Sequence, residues 1–261
     1  MDLTFIVYIV TGAAVGLAVG ITGVGGGSLM TPMLLMFGFP PNVAIGTDLL
    51  YAAITKSGGI ISHHAKKNID WRLVGRMAAG SIPAAIITSI ILKFFFADAS
   101  EYSHILTSSL GIMLVLTSFV IFFRHRLKEQ AMENRGLISV AHRHPVFSTI
   151  FMGFIIGVFV TLSSVGAGAI GAAVLLTLYP HLPSYRIVGV DIAHAVPLTF
   201  IAGFAHLWLG NVNLMLLGCL LIGSLPAIHL GTHLGSKVPN RVLQPVLAFL
   251  LMGIGIKYVF F

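Results

Sequence analysis

Residues 46–84 read GTDLLYAAITKSGGIISHHAKKNIDWRLVGRMAAGSIPA, and residues 189–227 read GVDIAHAVPLTFIAGFAHLWLGNVNLMLLGCLLIGSLPA. At a fixed offset of 143 residues, eleven of these 39 positions are identical. Chance would give about three at this composition, so the match indicates an internal repeat. The identities include polar residues that are rare in membrane helices, namely Asp48/Asp191, His63/His206 and Asn68/Asn211.

The composition around this repeat is that of a membrane protein. Of the 261 residues, 57% are hydrophobic and only 9% are charged, whereas a soluble domain carries about a quarter charged residues. The chain has too little polar surface to cover a water-soluble globule. The sequence therefore predicts an all-α protein for which the bilayer is the main solvent.

Ten apolar segments can be distinguished along the chain: 4–21, 28–38, 43–62, 73–96, 104–123, 146–163, 168–179, 187–206, 213–231 and 242–260. Eight of them approach the ~20 residues that a helix needs to cross the hydrocarbon core. Two, 28–38 and 168–179, are too short. Each of these follows a glycine-rich break, and the two breaks occupy equivalent places in the two halves. We expect two half-helices that begin inside the membrane.

The repeat divides the chain into a first membrane repeat (1–123), a linker (124–145) and a second membrane repeat (146–261). Because each half has five segments, an odd number, the second half should be inverted relative to the first. If 124–145 is a cytoplasmic solvated loop, twelve of the 15 Lys and Arg residues lie inside, as the positive-inside rule requires. Both termini are then external, in a multi-pass protein of the cytoplasmic (inner) membrane.

The two breaks are the predicted substrate site. A helix that begins within the membrane has N–H groups without partners, and its dipole favours a bound anion. Glycine allows the backbone to approach such a ligand closely, although the same glycines could serve only for close helix packing. The candidate substrate-binding residues, which include neighbouring hydroxyl and ammonium groups, are Gly25, Gly26, Gly27, Ser28, Thr47, Lys56, Ser163, Ser164, Gly166 and Gly168.

Ionisable residues inside predicted membrane segments form a second group of candidates. Asp48 and Asp191 could bind the N–H groups of the breaks or carry a coupling proton. Lys56, whose repeat equivalent is Thr199, could contact the anion or pair with either aspartate. His63 and His206 could gate or relay protons, but capping of their helices is the favoured interpretation.

Several other classes of function are disfavoured. The net charge of +7 follows the positive-inside pattern and does not form a nucleic-acid-binding face. The chain has no His-Glu-x-x-His, Gly-x-Ser-x-Gly or phosphate-loop motif. A single cysteine, Cys219, excludes an internal disulfide and a Cys-x-x-Cys metal site. We therefore expect no catalytic residues, no metal and no cofactor.

The motifs in both halves resemble the TauE/SafE sulfite exporter family. In the first half these are Gly25-Gly26-Gly27, Pro32, Pro40, Ala44, Gly46-Thr47, His63, Asn68-Ile69-Asp70-Trp71-Arg72 and Gly80-x-x-Pro83. In the second half they are Gly166, Gly168, Gly189, His206, Gly210-Asn211-Val212 and Gly223-Ser224-x-Pro226. The resemblance implies a transporter of sulfite, thiosulfate, sulfonates or related organic anions, without a prosthetic group.

The expected function is secondary transport of such an anion, with export as the favoured direction because the inside-negative potential drives anions outward. The alternative is proton- or cation-coupled uptake through Asp48 and Asp191. A membrane-embedded enzyme or an assembly factor is a third hypothesis. The partners are a small anionic substrate and the lipid bilayer, and the sequence leaves open whether the protein is a homo-oligomer.

Overall fold

Helices make up nearly all of the described chain. A computed structural model describes residues 3–22, 27–96, 98–133, 137–235 and 240–260. These ranges hold eleven α-helices and no β-strand, which confirms the predicted all-helical class. The helices are α1 (Leu3–Thr22), α2 (Gly27–Met36), α3 (Pro41–Ala65), α4 (Trp71–Phe95), α5 (Ala99–Glu133), α6 (Leu137–Arg143), α7 (Pro145–Ser163), α8 (Ala169–Leu178), α9 (Ser184–Trp208), α10 (Leu214–Gly235) and α11 (Asn240–Phe260).

Six of the described helices are long and apolar enough to cross a membrane: α1, α4, α5, α7, α9 and α10. This is fewer than the eight near-spanning segments that the sequence predicted. Helix α3 is 25 residues long, but Asp48, Lys56 and two histidines lower its mean hydropathy. In α11, the stretch Gln244–Phe260 belongs to the shorter apolar helices.

The two short segments are helices of ten residues each, α2 and α8. The linker differs from the predicted solvated loop, because the described residues of 124–145 are largely helical. Helix α5 continues to Glu133, and α6 occupies most of the remainder. The reason is local, since 124–133 contains no glycine or proline and consists mainly of good helix formers such as Arg, Lys, Glu and Leu.

The repeated sequence produces the same local structure twice. Helices α3 and α9 each have 25 residues and start 143 positions apart. Two residues after the end of each helix, the backbone takes a left-handed conformation, at Lys67 with φ 54° and at Gly210 with φ 77°. After each turn an asparagine N–H donates back to a histidine carbonyl, Asn68 to His63 and Asn211 to His206, both at 2.9 Å. Backbone hydrogen bonds therefore close both helix ends.

The helices of the two halves are interleaved. Helix α1 packs against α10 and α7 against α4, while α3 packs against α9 and α5 against α11. Glycines allow the first two contacts to be very close: Gly80 on α4 lies against the carbonyl of Ile150, and Gly223 on α10 against that of Ile9. Small residues of this kind let membrane helices pack backbone to backbone.

Gly80→Ala should destabilise the protein, because its Cβ would overlap the Ile150 carbonyl oxygen and force α4 away from α7. Overpacking of this kind costs about 1–3 kcal/mol. Gly75→Ala on the same helix is the matched control, since no atom lies within 4 Å of its added Cβ. Thermal unfolding in detergent should give a lower midpoint for Gly80→Ala and an equal or higher one for Gly75→Ala. Equal midpoints for the two variants would contradict this packing.

Candidate functional site

A cavity of about 950 Å³ lies between the two halves. It is lined by the C-terminal halves of α3 and α10, the N-terminal ends of α8, α9 and α11, and parts of α1 and α5. Its wall is mainly apolar, and its polar side chains include one lysine, one arginine and one carboxylate. These polar residues are Thr55, Lys56, Ser57, Ser62, His63, Arg124, Asp191, His229, Thr232 and Gln244.

The second glycine-rich break interrupts the helical path beside this cavity. Helix α7 ends at Ser163, and Ser164 takes a left-handed conformation with φ 58°. Gly166 and Gly168 follow with φ 120° and 147°, values that a residue with a side chain adopts only with strain. The Ser163 hydroxyl donates to the Phe159 carbonyl at 2.6 Å and accepts from the Val165 N–H at 3.2 Å. The hydroxyl of Ser163 is therefore engaged within the break.

Helix α8 restarts directly at the cavity wall. Gly168 and Ala169 line the cavity. The first N–H groups that find backbone acceptors are those of Gly171, which donates to Gly166 at 3.0 Å, and Ala172, which donates to Gly168 at 2.9 Å. The preceding turn is therefore the positive end of the α8 dipole. One of the two predicted half-helix starts therefore lies beside the cavity, and its role as an anion site stays a prediction.

Lys56 connects α3 to this break. Its Nζ donates a hydrogen bond to the carbonyl oxygen of Ala167 at 2.6 Å. Its charge interacts at longer range with Asp191 and Asp48, but within the described ranges no ion pair within 4.0 Å joins Lys56 to either carboxylate. The ion pair that the sequence allowed is therefore not formed. The ammonium group instead lies at the cavity wall, next to the start of α8.

Asp191 contacts the first turn of α8. It lines the cavity, and its Oδ1 packs against Gly171, where an added Cβ would overlap it. This oxygen has no hydrogen-bond partner in the described part of the chain. Lys56 and Arg124 are the cations that act on this carboxylate. The site therefore combines two basic groups, a helix N-terminus and one carboxylate.

Asp48, the repeat equivalent of Asp191, has different surroundings. It is completely buried and is not part of the cavity wall. Its Oδ2 accepts a 2.5 Å hydrogen bond from the hydroxyl of Thr31 on α2. Ser164 of the second break lies beside the same carboxylate. Asp48 therefore links the first short helix to the second break.

The two repeat-related histidines also differ. His63 is partly exposed on the cavity wall, and its buried Nδ1 has no partner among the described residues. His206 is fully buried, and its Nε2 donates to the Thr161 carbonyl of α7 at 2.9 Å. The His206 ring therefore bridges two helices. It does not cap its own helix, which differs from the interpretation that the sequence favoured. One histidine borders open space while its equivalent is enclosed by protein.

The other predicted site residues lie away from the cavity wall or outside the residues that the structure describes. The Thr47 hydroxyl accepts from the Asn213 N–H at 3.1 Å, in contact with the turn before α10. Ser28 is buried in the first turn of α2, and Gly27 is the first residue of that helix. Gly25 and Gly26 lie outside the described residues, so the first break remains a prediction.

Several polar groups near Lys56 and Asp48 were not among the residues predicted from the sequence. Arg124 was assigned to the linker, but it lies in α5 and lines the cavity. Tyr51 falls one turn after Asp48, and its spacing could have marked it as a neighbour. Thr31 carries no distinguishing pattern, and Ser224 belongs to the Gly223-Ser224-x-Pro226 motif, which was not assigned to the site. The Ala167 carbonyl is a backbone group, so no side-chain motif could have identified it.

Comparison with known proteins finds a family and relatives that match nearly the whole chain. The sulfite exporter TauE/SafE family matches residues 8–258. "Probable membrane transporter protein YjnA" of Bacillus subtilis (strain 168) is 37% identical over 252 residues, which cover 96% of this chain and 98% of the relative. "Probable membrane transporter protein MJ0441" of Methanocaldococcus jannaschii is 25% identical, over 95% of this chain and 92% of the relative. No solved structure matches the chain.

Long apolar helices around a cavity with charged residues in its wall, together with these relatives, define a multi-pass membrane transport protein. Because the family match covers nearly the whole chain, the protein belongs to the TauE/SafE sulfite exporter family.

Proposed function

We propose that this protein is a secondary transporter of a small sulfur-containing or organic anion, such as sulfite, thiosulfate or a sulfonate. The anion binds where α8 restarts beside Lys56. The observation that carries this proposal is the juxtaposition of the Lys56 ammonium, the Ala167 carbonyl and the α8 N-terminus at one cavity wall. Such a site offers positive charge and N–H donors to oxyanion groups.

The proposed architecture is an inverted repeat of ten membrane segments with an axis in the membrane plane. Reciprocal packing supports a two-fold relation, because a contact in one direction recurs in the other. Gly46 lies against His206 and Asn211, and its equivalent Gly189 lies against His63 and Asn68. The repeats are 1–123 and 146–261, with both termini external and 124–145 cytoplasmic. With this topology the cavity faces the cytoplasm.

Export is the proposed direction. A monovalent anion that leaves an inside-negative cell gains ~2.3 kcal/mol per 100 mV, and a cytoplasm-facing cavity would load it from the inside. Proton- or cation-coupled uptake is the second candidate, because Asp48 and Asp191 each have an oxygen without a hydrogen-bond partner. Such carboxylates are suited to carrying a coupling ion.

A binding and flux experiment tests the proposal. The purified protein should bind at least one of sulfite, thiosulfate or a small sulfonate saturably, as measured by calorimetry or by ligand-dependent thermal stabilisation. In proteoliposomes loaded with that anion, an inside-negative potential should accelerate its efflux. Choline chloride is the control for binding, and anion-loaded liposomes without the protein (empty liposomes) are the control for efflux. The proposal fails if no sulfur-containing or organic anion binds, or if efflux matches that of empty liposomes.

A further inference from the structure

A second polar site lies behind the cavity wall, where α2, α3, α10 and the second break meet. We call it the Asp48 pocket and define it by Thr31, Asp48, Tyr51, Ser164 and Ser224. All five side chains are buried, with exposed fractions of 3% or less. Ser164 lies beside the Asp48 carboxylate, and the Tyr51 hydroxyl faces both Ser224 and Asp48. None of the five lines the cavity.

The pocket is rich in oxygen atoms without partners. Within the described chain, four of its buried oxygens have no hydrogen-bond partner within 3.5 Å: Asp48 Oδ1, Tyr51 Oη, Ser164 Oγ and Ser224 Oγ. Ser164 interacts with Asp48, and Ser224 with Tyr51, only at longer distance. A buried polar group without a partner is costly, and a buried carboxylate is far more so unless a cation or several donors satisfy it. Four such atoms in one place indicate a ligand that contacts them together.

The protein's own cation does not fill this role. Lys56, two helical turns further along α3, donates to Ala167 and is not within ion-pair distance of Asp48. Thr31 supplies one hydrogen bond to Asp48 Oδ2, and Oδ1 has no partner within hydrogen-bond distance. Among the described residues the carboxylate therefore has no counter-ion in direct contact, and Lys56 acts on it only at longer range.

We propose that the Asp48 pocket binds a sodium ion. Hard cations take oxygen ligands, and the pocket offers a carboxylate and four hydroxyl groups beside the second break. One carboxylate balances one positive charge. Among the described residues no group of three or more His, Cys, Asp or Glu could hold a metal ion, so a monovalent cation suits the pocket better than a divalent one.

The equivalent place in the second half has a different chemistry. Asp191 replaces Asp48, and His194 and Ser81 replace Tyr51 and Ser224 at the offset of 143. The hydroxyl of Ser81 is paired with His194 Nε2 at 2.7 Å, whereas among the described residues the Tyr51 and Ser224 hydroxyls have no partner within 3.5 Å. Asp191 also borders the open cavity. The set of unpaired hydroxyls therefore belongs to the Asp48 pocket alone within this pair of sites.

The second break joins the Asp48 pocket to the cavity. Ser164 lies beside Asp48, while Ala167, three residues later, accepts the hydrogen bond from Lys56. A sodium ion on Ser164 would hold this segment in place and so fix the start of α8. The sodium site itself rests on the Asp48 contacts and not on the identity of the anion, so each of the two proposals can fail without the other.

The test measures thermal unfolding of the purified full-length protein without anionic substrate. NaCl is titrated against choline chloride and KCl at constant ionic strength and pH. Wild type should show a saturable, sodium-specific rise in unfolding temperature of at least about 3 °C, as expected for a ligand that binds only the folded state. Asp48→Asn should abolish this rise, and Ser164→Ala should shift its midpoint to at least about tenfold higher sodium.

Two variants serve as controls. Thr117→Ala removes another buried hydroxyl without a partner, on α5 and outside the pocket, and should retain the full sodium effect. Asp191→Asn removes the equivalent carboxylate and should also retain it. If Asp48→Asn does not fold, Ser164→Ala and Thr31→Ala decide the outcome. The proposal is overturned if wild type shows no sodium-specific stabilisation, if stabilisation depends on pH alone, or if it survives in these pocket variants.

Discussion

Lys56→Ala should weaken anion binding by about 2–5 kcal/mol, the range seen when one partner of a buried charge pair is lost. The ammonium is the charged group next to the start of α8, and its hydrogen bond to Ala167 fixes its position at the cavity wall. Alanine removes both the charge and this link. The affinity for the anion identified in the binding screen, measured by calorimetry, should fall accordingly while the protein remains folded.

Lys93→Ala is the matched control for this change. Lys93 is exposed near the end of α4, with its Nζ 5.4 Å from the centre of the Trp208 ring, and does not line the cavity. Its removal should leave anion affinity unchanged. The double variant Lys56→Ala/Asp191→Asn should not recover binding, because no ion pair joins the two residues. Recovery in the double variant, or unchanged affinity in Lys56→Ala, would exclude Lys56 as an anion contact.

Local sequence was sufficient to predict most of the secondary structure. Segment 168–179 corresponds to Ala169–Leu178 and 28–38 to Gly27–Met36, because glycine-rich stretches mark where helices must restart. The offset of 143 correctly paired α3 with α9. The prediction failed at 124–133, where charged residues were taken for a loop although charge alone does not stop a helix.

The arrangement of the site was harder to predict, because it depends on contacts distant in sequence. The repeat suggested equal roles for Asp48 and Asp191, and for His63 and His206. The structure gives each pair unequal surroundings, with Asp191 and His63 at the cavity and Asp48 and His206 enclosed. An internal repeat encodes what its two copies share. It does not encode which copy borders open space in a given conformation.

This inequality gives the final prediction, which concerns access to the two equivalent helices. Thr55 on α3 lines the cavity, whereas its equivalent on α9, Leu198, is completely buried. In a chain with Cys219 replaced by alanine, Thr55→Cys should react with a membrane-impermeant thiol reagent at least about 100-fold faster than Leu198→Cys. The buried site reacts only through a minor open state, a few kcal/mol above the main one.

The side of reaction is the second measurement, made on right-side-out and inside-out vesicles. If the halves are inverted repeats that alternate in exposing the site, Thr55→Cys should be modified from the cytoplasmic face and Leu198→Cys, slowly, from the external face. A transported anion that populates the other state should slow the first reaction and accelerate the second, because one equilibrium governs both. Modification of both cysteines from the same face would contradict the inverted arrangement, since equivalent positions in inverted halves must open to opposite sides.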